Sequence, residues 1–314
     1  MTAMSSAERH ASVTPPRRRG RPTGATAVTL LAAMLLAAGC SSGETLYARS
    51  GGADLPIWVR GNLDSGVLIL ANHGGPGETS YTLPPAKAFQ QIEERYGVAY
   101  WDQRSSGSAQ GNATVDTLTL ARFVDDLGLV VDVLRLRYPD SKLYLLGYSF
   151  GGLLTADYLL DAAAQAKVHG WIDLCGSHDV PRAISEGRAR VLGEARSLID
   201  SGRDVATWQA AVDWYAAHPV IDETNILTRI GYVIAAERYT HPALSAVDFD
   251  TIFYSPFDPL QYKANAGHVL IPMFRDIKNV DLTPRLAAIT LPSLFVFGAD
   301  DGNVPAAVGQ EAYD

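Results

Sequence analysis

The sequence predicts an α/β chain: a mostly parallel sheet flanked by helices, with a helical lid inserted between two core strands. Three observations predict it. From residue 45 onward, short apolar runs alternate with helical patterns, the mark of βαβ units and a parallel sheet. Between about Ser177 and Leu291 the buried-strand runs vanish and only helical spacing remains. At Leu291 to Gly298 the strand pattern returns.

Thr45 to Ser50 and Pro56 to Asn62 read as strands joined by a Gly51-Gly52 hairpin turn. Val67 to Ala71 is an unbroken apolar run, as a strand covered on both faces requires. Helical spacing over Pro84 to Tyr96 leads to a strand at Gly97 to Trp101. A long helix over Thr119 to Arg137 is closed by Pro139. Lys142 to Leu146 is a strand, Phe150 to Ala166 a helix and Val168 to Leu174 a strand. In the lid, helices are expected over Arg182 to Asp200, Val205 to Ala217 and Asn225 to Tyr239.

Composition bounds the function. Hydrophobic residues make up 47% and charged residues 19%, a globular balance. The net charge is −8; five arginines and one glutamate stand in the first 40 residues, so the rest carries 21 basic against 33 acidic side chains. That acidic body argues against nucleic acid as a partner. Two cysteines, Cys40 and Cys175, exclude a disulfide scaffold and a cysteine zinc cluster.

The first 40 residues read as an address. Arg17-Arg18-Arg19-Gly20-Arg21 precedes an uncharged run of 15 residues, Ala25 to Gly39, too short for a membrane-spanning helix of roughly 20. The run ends Leu36-Ala37-Ala38-Gly39-Cys40 and resembles a bacterial lipoprotein signal, which implies lipidation of Cys40, export and a membrane anchor. An ordinary secretory signal is the alternative. The organisation expected is residues 1–40 signal, 41–177 first part of the core, 178–285 lid and 286–314 second part of the core.

Chemistry concentrates in four segments. Gly147-Tyr148-Ser149-Phe150-Gly151 follows an apolar strand and opens an apolar helix, the setting of a nucleophile elbow that lifts Ser149 Oγ above the sheet. His73-Gly74-Gly75-Pro76-Gly77 follows another strand and suits an oxyanion loop, with N–H donors from Gly75 and Phe150. His73 reads as structural. Trp101-Asp102-Gln103-Arg104 ends a strand on the same side and braces that loop. Asp300 and Asp301 end the strand at Phe297, where an acid can orient a histidine.

In this order the four segments resemble the α/β-hydrolase fold, and within it the proline iminopeptidase-like branch of serine aminopeptidases. The resemblance implies Ser149 as nucleophile and Asp301 as acid, Pro305 following at the family's spacing. It implies no cofactor or metal, and lid carboxylates for the substrate's amino group, with Glu186, Glu194, Glu223 and Glu237 as candidates. The chain departs from the family in having Ser105 where a glycine is usual and Ala109 where a serine is usual. The expected function is an exported serine hydrolase releasing N-terminal residues, proline among them, from short peptides. An esterase for small acyl esters and a non-catalytic binding protein on the same scaffold are the alternatives. Lid aromatics Trp208, Trp214, Tyr215 and Tyr232 are candidates for the acyl pocket.

All seven histidines precede Asp301, whereas this fold orders nucleophile, acid and then histidine. The expectation is a truncated C-terminus lacking the last strand and histidine loop, hence an inactive and poorly stable chain. His178 standing in as base is the alternative.

Overall fold

In this computed structural model the described residues are 43–84, 86–240 and 259–314. The signal-like segment and Cys40 lie outside them. Among the described residues no helix is long and apolar enough to cross a membrane.

The strands are β1 (Glu44–Ser50), β2 (Ala53–Gly61), β3 (Val67–Asn72), β4 (Gly97–Trp101), β5 (Gln110–Gly111), β6 (Lys142–Tyr148), β7 (Gly170–Leu174) and β8 (Ser293–Val296). They form one sheet in the order β1-β2-β4-β3-β6-β7-β8, with β5 paired to β2. β1 and β2 are an antiparallel hairpin, β2 runs antiparallel to β4, and every pair from β4 to β8 is parallel.

The helices are α1 (Lys87–Glu93), α2 (Leu120–Arg137), α3 (Phe150–Leu159), α4 (Ala162–Gln165), α5 (Val180–Asp200), α6 (Val205–Ala217), α7 (Ile226–Thr240), α8 (Pro259–Ile277) and α9 (Ala306–Tyr313). The four from α5 to α8 are inserted between β7 and β8. The single helix expected over Phe150 to Ala166 is broken in two. Asp161 leaves helical geometry, and its carboxylate accepts the Ala163 amide as the cap of α4.

β3 shows why the sheet is stable. Leu68 and Leu70 face the main core with Phe123, Leu127 and Leu153, whereas Ile69 and Ala71 face a second cluster with Phe89, Val98 and Tyr100. Both faces of the strand are covered, so its apolar run has no polar alternation, and each buried leucine contributes about 2–3 kcal/mol. This rigid centre sends β3, β4, β6 and β7 to one edge, where their carboxyl ends carry the chemistry.

Candidate active site

Ser149 joins β6 to α3 with φ 55° and ψ −117°, a conformation that non-glycine residues seldom hold. The neighbours must be small. A β-carbon on Gly147 would lie 2.3 Å from the Gly151 carbonyl oxygen, and one on Gly151 would lie 2.2 Å from that of Asn72. The elbow is sewn down on its other flank by Ser149 N–H donating to Leu174 O at 3.0 Å. Phe150 opens α3, so its N–H belongs to the helix's first turn, which lacks intrahelical acceptors.

The close approach of Gly151 to Asn72 and His73 brings the glycine-rich loop against the start of α3. Gly75, at φ 108°, holds a left-handed turn there that a side chain would strain. His73 is fully buried: its Nδ1–H donates to Gly74 O at 2.8 Å, and its Nε2 accepts the Gln103 amide at 3.1 Å. Burial holds its pKa below the ordinary value, so the ring stays neutral. It is a structural pin, as the sequence predicts.

The Trp101 to Arg104 segment braces the loop. Gln103 Nε2 donates to His73 O at 2.9 Å, and Trp101 Nε1 donates to Asn72 Oδ1 at 2.9 Å. Asp102, also buried, accepts from Thr79 Oγ1, Ser80 N, Ser108 N and Ser108 Oγ. Arg104 turns away to a fully buried bidentate pair with Asp126, both bonds 2.6 Å.

Asp301 lies in the loop after β8. Its Oδ1 accepts the Asn303 and Val304 amides, each at 2.8 Å, which fixes the carboxylate without using its second oxygen on the backbone. Beside it stands Cys175, at φ 52°, whose thiol burial pushes up to about 11. Because Cys175 follows Leu174, the Ser149 elbow and the Asp301 loop flank one strand end.

Two helices of the insertion grip that loop. Arg229 of α7, buried, donates to Asn303 Oδ1 and to the carbonyls of Ala183, Gly302 and Asn303. Glu237 of α7 accepts the Gly302 amide at 2.8 Å, and Arg190 of α5 reaches Asp300 at 3.2 Å. Burial raises the pKa of Glu237. Of the four candidate glutamates, Glu237 is the one hydrogen-bonded to the acid loop. Glu223 is held at about 2 by its own backbone amide together with Lys278 and Arg275, and Glu186 pairs with Arg182. Sequence reasoning missed Arg229: an arginine in a helical pattern reads as a solvated face.

One alternative is set aside. His178 does not serve Ser149: its Nε2 is 3.1 Å from Val308 O and its Nδ1 faces Asp173, with the ring wholly buried. Trp208 and Tyr215 are buried in the main core, with Trp208 edge-on to Tyr239 and Tyr215 against Trp214 and Tyr232. Among the described residues, Ser149 Oγ forms no hydrogen bond. His241 lies outside them. A hollow of about 450 Å³ lined by Trp58, Arg60, Tyr81 and Tyr100 includes neither the elbow nor the acid loop.

Residues 66–240, more than half of the sequence, match the family model described as serine aminopeptidase, S33. The chain belongs to that family. A probable aminopeptidase of Bacillus subtilis is 35% identical over 95 residues, 29% of either chain. A proline iminopeptidase of Heyndrickxia coagulans is 23% identical over 246 residues, 76% of either chain. The fold is shared with a solved proline iminopeptidase of Mycobacterium smegmatis (TM-score 0.56, 17% identity, 86% of each chain). It is also shared with an esterase of a Rhodococcus species (TM-score 0.51, 19% identity, 86% of each chain). The family match and the relatives support a hydrolase of the aminopeptidase type, and the solved structures show the α/β-hydrolase fold.

Proposed function

We propose that the protein is an exported serine aminopeptidase that releases the N-terminal residue, proline among others, from short peptides through an acyl-enzyme. The observation that carries this reading is the strained Ser149 elbow, with the first turn of α3 and the glycine loop packed against each other beside it. Ser149 Oγ attacks the scissile carbonyl. The Gly75 and Phe150 N–H groups receive the oxyanion, and water then releases the acyl group. Asp301 would orient an imidazole that takes the Ser149 proton and passes it to the leaving amine. Among the described residues no histidine is bonded to Asp301, so turnover requires a histidine from outside them.

The peptidase reading is favoured over the esterase by Glu237, a half-buried carboxylate beside the acid loop suited to a substrate ammonium group. A panel of aminoacyl anilides against acyl esters tests it, with Ser149→Ala as control. Turnover of anilides that Ser149→Ala abolishes is the expected result, and turnover of esters alone contradicts it. Export and anchoring through Cys40 are part of the proposal, supported by the basic segment and apolar run before that cysteine. Incorporation of an alkynyl fatty acid that Cys40→Ala abolishes is the check.

A further inference from the structure

Asp173, at the end of β7, and His178, just before α5, are buried titratable groups beside the elbow that acyl transfer leaves unused. Their side chains are 1% and 0% exposed, and His178 Nδ1 stands 3.6 Å from Asp173 Oδ2. Neither Nδ1 nor either carboxylate oxygen has a partner at full hydrogen-bond geometry among the described residues, although the Gly176 amide lies near enough to Asp173 to oppose part of the effect of burial. The other ring nitrogen, Nε2, lies 3.1 Å from the carbonyl oxygen of Val308 in α9. A carbonyl can only accept, so Nε2 carries a proton. That leaves Nδ1 aimed at a carboxyl group in a dry site. A bare lone pair facing an ionised carboxylate is what burial penalises most, and one proton between the two removes the conflict.

The surroundings agree. Burial pushes Asp173 upward, the direction of a carboxyl that keeps a share of a proton. The charged groups nearby are acidic or already paired: Asp179, which caps α5, Asp281 bridged to it, Glu311 with Arg182, and Asp301 behind Cys175.

The pair sits where it can hold the nucleophile in register. A β-carbon on Gly152 would lie 2.5 Å from Asp173 Oδ1, and one on Gly176 would lie 1.9 Å from it, so the carboxyl fills a slot left by two glycines. Ser149 N–H donates to Leu174 O, and Ser177 N–H donates to Ser149 O at 3.3 Å, so the 173–178 turn is stitched to the elbow. His178 then reaches α9, the helix that follows the Asp301 loop.

We propose that Asp173 and His178 share one proton, and that this dry pair is a positioning strut between the Ser149 elbow and the helix behind Asp301. Neither residue touches substrate. The strut's role rests on the acyl-transfer reading; the shared proton does not.

Two measurements on the full chain test it. Long-range 1H–15N spectra of histidine-labelled protein should show His178 protonated at Nε2, with an exchange-protected proton at Nδ1 that Asp173→Leu removes. A His178 ring protonated at Nδ1 and bare at Nε2 overturns the proposal, and this readout needs no activity and no variant. In the second, a fluorophosphonate labels Ser149. Asp173→Asn still offers Nδ1 a donor and should label within about threefold of the parent, while Asp173→Leu, of similar size, should label about tenfold more slowly or worse. Equal labelling of Asp173→Leu makes the carboxyl a mere space-filler and overturns the strut. An unlabelled parent chain refutes the acyl-transfer reading, and the spectra then decide the shared proton alone.

Discussion

Gln103 and His73 exchange two hydrogen bonds, the Gln103 amide to the ring Nε2 at 3.1 Å and the Gln103 side chain to the His73 carbonyl at 2.9 Å. The first exists only while Nε2 is unprotonated. With its native pKa lowered by burial, His73 binds its proton less readily folded than unfolded. Its contribution to stability is therefore complete above the unfolded value of about 6.5 and declines as pH falls below it. Denaturant midpoints between pH 8 and pH 5 should fall more steeply for the parent than for His73→Gln. Parallel curves would remove this account of the ring.

Ser105 holds φ 57°, at a position where the resemblance calls for glycine. Left-handed geometry costs a side chain about 1–2 kcal/mol, partly offset because glycine has more freedom to lose on folding. Ser105→Gly should stabilise the protein by about 0.5–1 kcal/mol in urea denaturation.

Arg104 and Asp126 form a bidentate pair with no exposed surface. Asp126→Leu strands a buried cation and should cost about 3–5 kcal/mol, while Arg104→Met with Asp126→Leu should cost much less than the two single changes together. A double-mutant cycle in guanidinium chloride measures it; additive losses would mean the pair is not coupled.

Arg229→Met removes the donors that hold Gly302 and Asn303. Stability should fall by about 2–4 kcal/mol, with amide exchange accelerating at residues 302–304 before it does elsewhere. Exchange that is unchanged there would separate the insertion from the acid loop.

What was legible in the sequence was local. β4 and α6 begin and end where their patterns do, because Gly97 and Ala217 bound unbroken runs of one period. The elbow and the glycine loop were legible because backbone geometry demands small residues at fixed spacing. α8 was not singled out: Pro272 sits inside it and interrupts the usual helical reading. The Arg229 clamp and the Asp173–His178 contact were also hidden, since they join residues by tertiary packing and their types read equally well as surface charge. The resemblance supplied Asp301, and the contacts of its loop with α7 came from the fold.

The central claim is that Ser149 is an activated nucleophile, and active-site labelling tests it most directly. The purified chain is treated with a fluorophosphonate, digested and mapped by mass spectrometry. A single adduct on Ser149, lost in heat-denatured protein, is the predicted result. No adduct at Ser149 in the folded protein, or equal labelling of other serines, would contradict the account.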